Sequence, residues 1–421
     1  MTGWNKPDYG KTANGKIALE ERGKAVVDFD LSDEQKAAVE MAHDFALNEL
    51  RPIAEEADRK GEFPKDLIMK KACDAGFTSS GISDEYGGGG LDPLTSAMVM
   101  EELFWGDAGL ATSIGANNLA TAPIMIAGTD EQKQKWLPRL CTGEGKLAAF
   151  ALTEPEAGSD VAAIKTTAKD EGDHWVLNGQ KCFITNGGIA DVYTVFANTD
   201  PEQGYRGLAG FIVGGDYEGL SMGKHEDKMG IRASHTAEVF LDNVKVPKED
   251  LLGDIGKAFY YVMWTLDQTR AGVAAGAVGI ARAAFEEALE YAKQRVQFGE
   301  PIIMKQAVAF MLTDMLMKIE AGRRLYYYAG WLATQAAEGD KAARAKLPTS
   351  SSIAKAYCGD MAMEVTTNAV QVMGGSGYMK DYPVEKYMRD AKIMQIYEGT
   401  AQIQRVVIAT NLMGMKELKQ F

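Results

Sequence analysis

Three stretches of this sequence gather the residue types that do chemistry. Phe150-Ala151-Leu152-Thr153-Glu154-Pro155-Glu156-Ala157-Gly158-Ser159-Asp160 sets hydroxyls and acids among apolar residues, and Arg295-Val296-Gln297-Phe298-Gly299 places a cation near an aromatic ring. Gln371-Val372-Met373-Gly374-Gly375 is followed by Ile396-Tyr397-Glu398-Gly399-Thr400-Ala401-Gln402-Ile403-Gln404-Arg405. A carboxylate such as Glu398 can act as a general base when it is aimed at the proton it abstracts. A glutamate on a helix is ordinarily solvated, so its setting has to decide. Gly87, Gly88, Gly89 and Gly90 invite a phosphate-loop reading, but neither G-x-G-x-x-G nor a following Lys-Ser/Thr is present, and a turn is expected instead. Four cysteines, Cys73, Cys141, Cys182 and Cys358, form no Cys-x-x-Cys pair, and four histidines lack ligand spacing. No metal site is expected.

The elements that must position these stretches change character along the chain. From about residue 31 to 145 the period is helical: Ser32 with Gln35 three residues on reads as a capping box, and Ala38, Val39, Met41, Ala42, Phe45, Ala46 and Leu50 follow near a 3.6 spacing. Further helices are expected at 64–75, 94–104 and 131–140. Between about 146 and 256 the period becomes two. Asn178-Gly179 between Trp175-Val176-Leu177 and Lys181-Cys182-Phe183-Ile184-Thr185 predicts a hairpin turn, with more strands at 191–197, 208–213 and 236–246. Beyond 259 long amphipathic segments at 259–295, 302–338, 352–373 and 383–412 suit a four-helix bundle, with a loop over 346–352. Gly272, Gly276 and Gly279 are spaced for close helix contact, while Met311, Met315, Met317 and Tyr326 to Tyr328 read as core or interface. The fold class is α+β: an N-terminal all-α domain (28–145), a middle antiparallel β-barrel or sandwich domain (146–257) and a C-terminal four-helix bundle (258–421). Residues 1–27 read as a polar, mobile extension, neither a signal peptide nor a transit peptide.

In this order the three stretches resemble the acyl-CoA dehydrogenase family, most closely its medium- and short-chain members. The resemblance runs from about residue 28 to 415 and includes Pro383-Val384-Glu385-Lys386, Met388-Arg389-Asp390-Ala391-Lys392-Ile393 and Arg270 with Ala274-Ala275-Gly276-Ala277-Val278-Gly279. It implies FAD at domain and subunit junctions of a homotetramer and α,β-desaturation of an acyl-CoA thioester. Electrons then leave to electron-transfer flavoprotein. Carried over by position, Glu398 takes the α proton while the β hydride passes to flavin N5, and Tyr397 and Gly399 flank the substrate. Phe150, Leu152, Thr153, Ser159, Phe183 and Thr185 meet the FAD of the same chain. Phe183 stands where tryptophan is usual, so stacking is kept and an indole donor is lost. Arg295, Phe298, Gln306, Gln371, Gly374 and Gly375 meet the FAD of a neighbouring subunit, with Thr400 and Gln402 on the pyrophosphate side. Gln297 replaces a common threonine. Ser159, Asp267 and Arg270 correspond to coenzyme A contacts, and Thr410 stands where medium-chain enzymes carry a substrate-contacting arginine. Some relatives place the base at the position of Thr269; threonine cannot serve, which leaves Glu398.

The acyl pocket departs from the medium-chain pattern, because Ala111 and Gly115 replace a glutamine and a glutamate at its floor. A longer, branched or cyclic acyl group is expected, unless Met100, Phe104 or Trp105 refill the space. An oxidase that hands electrons to O₂ and a non-catalytic flavin or acyl-CoA binder are the competing readings; the retained Glu398 opposes the second. Bulk properties narrow the classes further. With 421 residues, 46% hydrophobic content and a formal charge of −14, the chain reads as a soluble multidomain protein without nucleic-acid affinity. No apolar run is long enough for a membrane span. The dispersed cysteines suit a reducing cytoplasm.

Overall fold

Ser32 and Gln35 exchange backbone and side-chain hydrogen bonds (3.0 and 3.1 Å), and this capping box starts helix α1, Asp33–Phe45. The computed structural model describes residues 30–414, so the extension expected over 1–27 lies outside the described residues. Among the described residues, those up to Ala37 fall in one unit and those from Ala38 onward in a second. The helical part continues with α2 (Arg51–Lys60), α3 (Lys65–Asp74), α4 (Pro93–Gly106), α5 (Ala108–Ala127), α6 (Asp130–Trp136) and α7 (Pro138–Cys141). Helix α5 is the element that period counting missed. Its buried residues cover most of its circumference, so it has no polar stripe for a 3.6-residue pattern to reveal. The glycine-rich turn spends its amides within the chain: Gly88, Gly89 and Gly90 donate to the carbonyls of Ser83, Ser79 and Ile82.

Strands β1 (Ala148–Ala151), β2 (Thr167–Asp170), β3 (His174–Thr185), β4 (Val192–Asn198), β5 (Leu208–Gly214), β6 (Leu220–His225), β7 (Thr236–Pro247) and β8 (Leu251–Leu252) form one sheet in the order β6-β7-β3-β2-β4-β5-β8, with β1 also on β4. The sheet is antiparallel except that β1 and β2 pair with β4 in parallel. The expected hairpin turn at Asn178-Gly179 is not there. Both residues lie inside β3 at a register shift against β7, and the turn falls earlier, between β2 and β3. Gly179 is needed for close approach rather than for a turn, because a Cβ there would stand 2.4 Å from Thr166 Oγ1.

The C-terminal helices are α8 (Ala258–Gln294), α9 (Gln306–Ala337), α10 (Lys341–Met373), the short α11 (Gly375–Tyr378), α12 (Val384–Ala391) and α13 (Ala401–Met413); strands β9 (Val296–Gln297) and β10 (Glu300–Pro301) bridge α8 and α9. Residues 346–352, expected as a loop, lie within α10, which carries Pro348. The segment expected as one last helix is broken between a 3₁₀ turn at Lys392–Gln395 and α13. Helix α8 is the axis: α4, α9 and α10 all pack on it, and α13 packs on α10. The expected close contact is made by two of the three glycines. A Cβ on Gly279 would meet the Glu101 carbonyl at 2.2 Å and one on Gly276 would meet the Phe104 ring at 2.9 Å. The buried Glu101 carboxylate then ties α4 to α8 and α9 through Arg282 (2.9 Å) and Arg323 (2.8 Å). Met315 and Tyr326 are core, whereas Met317 is exposed.

Candidate active site

Where α4, α5 and α8 meet the open ends of β1 and β3, a cavity of about 850 Å³ forms. Gly272, the third of the α8 glycines, lines it and meets α4 only loosely, with Met100 Cγ 3.9 Å from where its Cβ would be. Glu398 reaches this cavity from the break ahead of α13. Its backbone is left-handed (φ 51°) and so is that of Gly399 (φ 90°), so no helix can run through them. Three residues hold the turn. Gln404 Nε2 donates to the carbonyls of Glu398 (3.3 Å) and Gly399 (2.9 Å), Lys355 Nζ donates to the Gly399 carbonyl (2.7 Å), and Thr400 Oγ1 caps α13 by accepting from the Ile403 N–H (3.2 Å).

The Glu398 carboxylate accepts a hydrogen bond from Thr269 Oγ1 on α8 at 2.9 Å. Burial raises its pKa above the usual carboxylate range; the Thr269 hydrogen bond and the charges of Lys355 and Arg270 pull the other way but do not cancel it. Tyr397 beside it is pushed well above its ordinary value by burial. Arg270 is itself buried. Its Nη1 binds Asp267 (2.6 Å) and Ser352 Oγ (3.3 Å), and its Nε has no partner among the described residues. Burial lifts Asp267 to about 6 against the pull of that arginine.

The wall opposite α8 is built by a buried lysine. Lys181 on β3 donates to Glu154 Oε1 (2.7 Å) and to the carbonyls of Leu152 (3.1 Å) and Phe196 (2.6 Å), while the Cys182 N–H donates to the Thr153 carbonyl (2.9 Å). These bonds fix residues 150–154 against 183–185. Phe150, Leu152, Thr153, Phe183 and Thr185 all line the cavity, and Ser159 lies exposed at its rim. Phe183 has a left-handed backbone (φ 57°) and is 66% exposed. The hydroxyls of Thr153 and Thr185 have no hydrogen-bond partner among the described residues.

Other expected site residues fall elsewhere. Ala111 is fully buried and does not line the cavity. Gly115 does line it, but the Met100 methyl fills the space beside it, 2.7 Å from a would-be Cβ. The Asp267 carboxylate and Arg270 are committed to each other rather than free at the rim. The Thr400 hydroxyl is taken by its cap, and Gln402 is exposed. Arg295, Phe298, Gln306, Gln371, Gly374 and Gly375 are exposed and line no part of the cavity. Their two stretches are joined by the hydrogen bond between Tyr291 and Ser376 (2.9 Å). Sequence reasoning missed Lys181, Lys355, Trp264 and Arg344. Exposed Arg344 lies 4.3 Å over the Trp264 ring, and both line the cavity. The loop expected over 346–352 hid the first part of the helix, which carries Arg344; Lys355 fell within the helix expected over 352–373 but its role was not recognised. Among the described residues no cluster could hold a metal ion, and no helix is long and apolar enough to cross a membrane.

Comparison with known proteins matches three family models in chain order: "Acyl-CoA dehydrogenase, N-terminal domain" over residues 32–144, the "middle domain" over 149–244 and the "C-terminal domain" over 256–413. The "Acyl-CoA dehydrogenase, short-chain specific" of Megasphaera elsdenii is 46% identical over 386 residues, covering 90% of this chain and 98% of that one. The "3-(aryl)acrylate reductase" of Clostridium sporogenes is 45% identical over 375 residues, covering 89% and 97%. Among solved structures, a chain in one titled for the electron transferring flavoprotein of Acidaminococcus fermentans is 46% identical with a TM-score of 0.87, covering 92% of this chain and 99% of that one. An acyl-CoA dehydrogenase complexed with FAD from Bacillus anthracis is 34% identical with a TM-score of 0.86, covering 93% and 70%.

Proposed function

The chain belongs to the FAD-dependent acyl-CoA dehydrogenase family, and we propose that it desaturates a coenzyme A thioester between the α and β carbons of the acyl group, with Glu398 as the base that takes the α proton. The observation that carries this is the partly buried Glu398 carboxylate on a left-handed turn, oriented by Thr269 at the cavity. A thioester α proton is a poor acid, so a base at this position gains from a raised pKa and from the exclusion of water. The Glu398 N–H has no acceptor among the described residues and is suited to receive the thioester carbonyl oxygen as negative charge builds on it.

FAD fits the wall. Phe150, Leu152 and Phe183 supply apolar flanks, and Thr153 and Thr185 supply two unpartnered hydroxyls for the polar edge of a planar ring system. When bound, FAD supplies the acceptor for the β hydrogen and its electron pair. Arg295, Phe298, Gln306, Gln371, Gly374 and Gly375 would serve the FAD of a neighbouring subunit in a homotetramer, which accounts for their exposure away from the cavity. At the rim, Arg344 beside Trp264 offers a cation for the coenzyme A phosphates, a role that the buried Arg270 is poorly placed to fill.

At the acyl end, Met100 and Phe104 form the floor beside Gly115. A flexible thioether adapts to branched or ring-bearing groups as readily as to a longer straight chain. Electron-transfer flavoprotein is the proposed acceptor, supported by the similarity to the Acidaminococcus structure. Four free cysteines suit a cytoplasmic setting. The 3-(aryl)acrylate reductase relative favours a second direction, in which an α,β-unsaturated thioester is reduced over the same base. Anaerobic titration with straight, branched, cyclic and arylpropionyl thioesters, followed by mixing of the reduced enzyme with O₂ or with electron-transfer flavoprotein, tests this. Loss of flavin absorbance with at least one thioester and slow reaction with O₂ are expected; fast reaction with O₂ assigns the chain to the oxidases.

A further inference from the structure

Lys355 stands out because nothing in the reaction as proposed uses it and its burial needs an explanation. It lies in the middle of α10 with 1% of its surface exposed, where a methionine would occupy a similar volume without burying a charge. Taking an ammonium out of water is costly unless a counter-charge offsets it. Yet no ion pair closes on Lys355 among the described residues, and its hydrogen-bond partner is the Gly399 carbonyl at 2.7 Å. The other acids in its surroundings are committed. Asp360 binds Arg405 (2.6 Å) and Gln395 (2.7 Å), and Asp267 binds Arg270 (2.6 Å). Glu398, one residue before the carbonyl that Lys355 holds, is the carboxylate left to face it.

The turn itself requires an external hold. Two successive residues with positive φ, one of them not glycine, form a conformation that persists only when its surroundings enforce it. Gln404 supplies one contact from α13, immediately downstream of the turn. Lys355 supplies a contact from α10, an element packed along the axial helix α8 that also carries Thr269. The two helices that flank the cavity thereby meet at one turn: α8 through the Glu398 side chain and α10 through the backbone of the next residue, Gly399.

We propose that Lys355 is the positioning residue for Glu398, fixing the turn through the Gly399 carbonyl and providing the counter-charge toward which the carboxylate ionises. This rests on Glu398 being the base. The electrostatics agree with the geometry: burial lowers Lys355 to about 8, with Glu398 the foremost charge opposing that fall and Arg270 adding to it. The groups facing Glu398 are Thr269, Arg270, Lys355 and Tyr397, so removing the one cation not already paired to a carboxylate raises its pKa.

Lys355→Met and Lys355→Gln in the FAD-loaded, full-length enzyme separate the two parts of the role. Lys355→Met, with full FAD content, should slow flavin reduction at least tenfold and move the acid limb of kcat/KM upward by about one pH unit. Lys355→Gln keeps a donor for Gly399 without the charge. It should move the limb upward while the high-pH plateau stays within about threefold of the parent enzyme. Variants that bind FAD and keep the parental limb overturn the proposal, and so does a rate loss with an unmoved limb, which a merely structural lysine would give. If Lys355→Met does not fold, the limb of Lys355→Gln decides alone. Glu398→Gln distinguishes the two levels: continued substrate-driven reduction in that variant removes the base assignment itself, whatever Lys355 does.

Discussion

Glu398 was legible in the sequence because its neighbours, Tyr397 to Arg405, form a contiguous motif; its partners were not, because they come from elements far away in the chain. Thr269 lies 129 residues from Glu398 and had been weighed only as a replacement for an alternative base, yet its hydroxyl orients the carboxylate. Replacing it by valine removes a hydrogen bond that favours the ionised form. We expect Thr269→Val to lower kcat/KM about tenfold, the worth of one hydrogen bond to a charged group, and to move the acid limb upward. The sign for the parent enzyme follows from the same balance. As the proposed base Glu398 would work ionised, and burial raises its pKa, so activity should rise with pH through a limb above the ordinary carboxylate range, as a kcat/KM profile will record. Arg270 and Asp267, whose positions pointed to a ligand, are paired with each other, while Arg270 also lines the cavity with its Nε unpartnered among the described residues.

Periodicity located most of the helices but missed α5. The long α8 and the capping box of α1 are where amphipathic spacing and capping chemistry put them. Helix α5 escaped because it is buried nearly all round, and α10 was cut short because Pro348 and the serines after it mimic a loop. Asn178-Gly179 satisfied a turn rule for the wrong reason, since only the tight approach to Thr166 requires the glycine. Glycine spacing on α8 was more informative. Gly276 and Gly279 seat α4 closely, and this packing leaves the cavity open at Gly272. A Gly279→Ala methyl would press on the Glu101 backbone, which cannot yield as a flexible side chain would. Chemical denaturation should register a loss of about 1–3 kcal/mol, with the cavity-lining residues unchanged.

The order of helices, sheet and helices was readable from the switch of period alone, but which surfaces meet other chains was not. Phe298 is 94% exposed, and Met304, Phe310 and Met317 are exposed along the same region of sequence. An isolated chain with so much bare apolar surface is expected to assemble. Sedimentation equilibrium should give four times the chain mass. Arg295→Ala should weaken FAD retention about tenfold, through loss of a charge-assisted contact, without altering the cavity of its own chain. The assembled, FAD-loaded enzyme is also where the central claim is decided. Anaerobic addition of a reactive acyl-CoA to Glu398→Gln, carrying as much FAD as the parent, should leave the flavin spectrum oxidised while the parent is bleached; bleaching of the variant at the parental rate would contradict the assignment of Glu398 as the base.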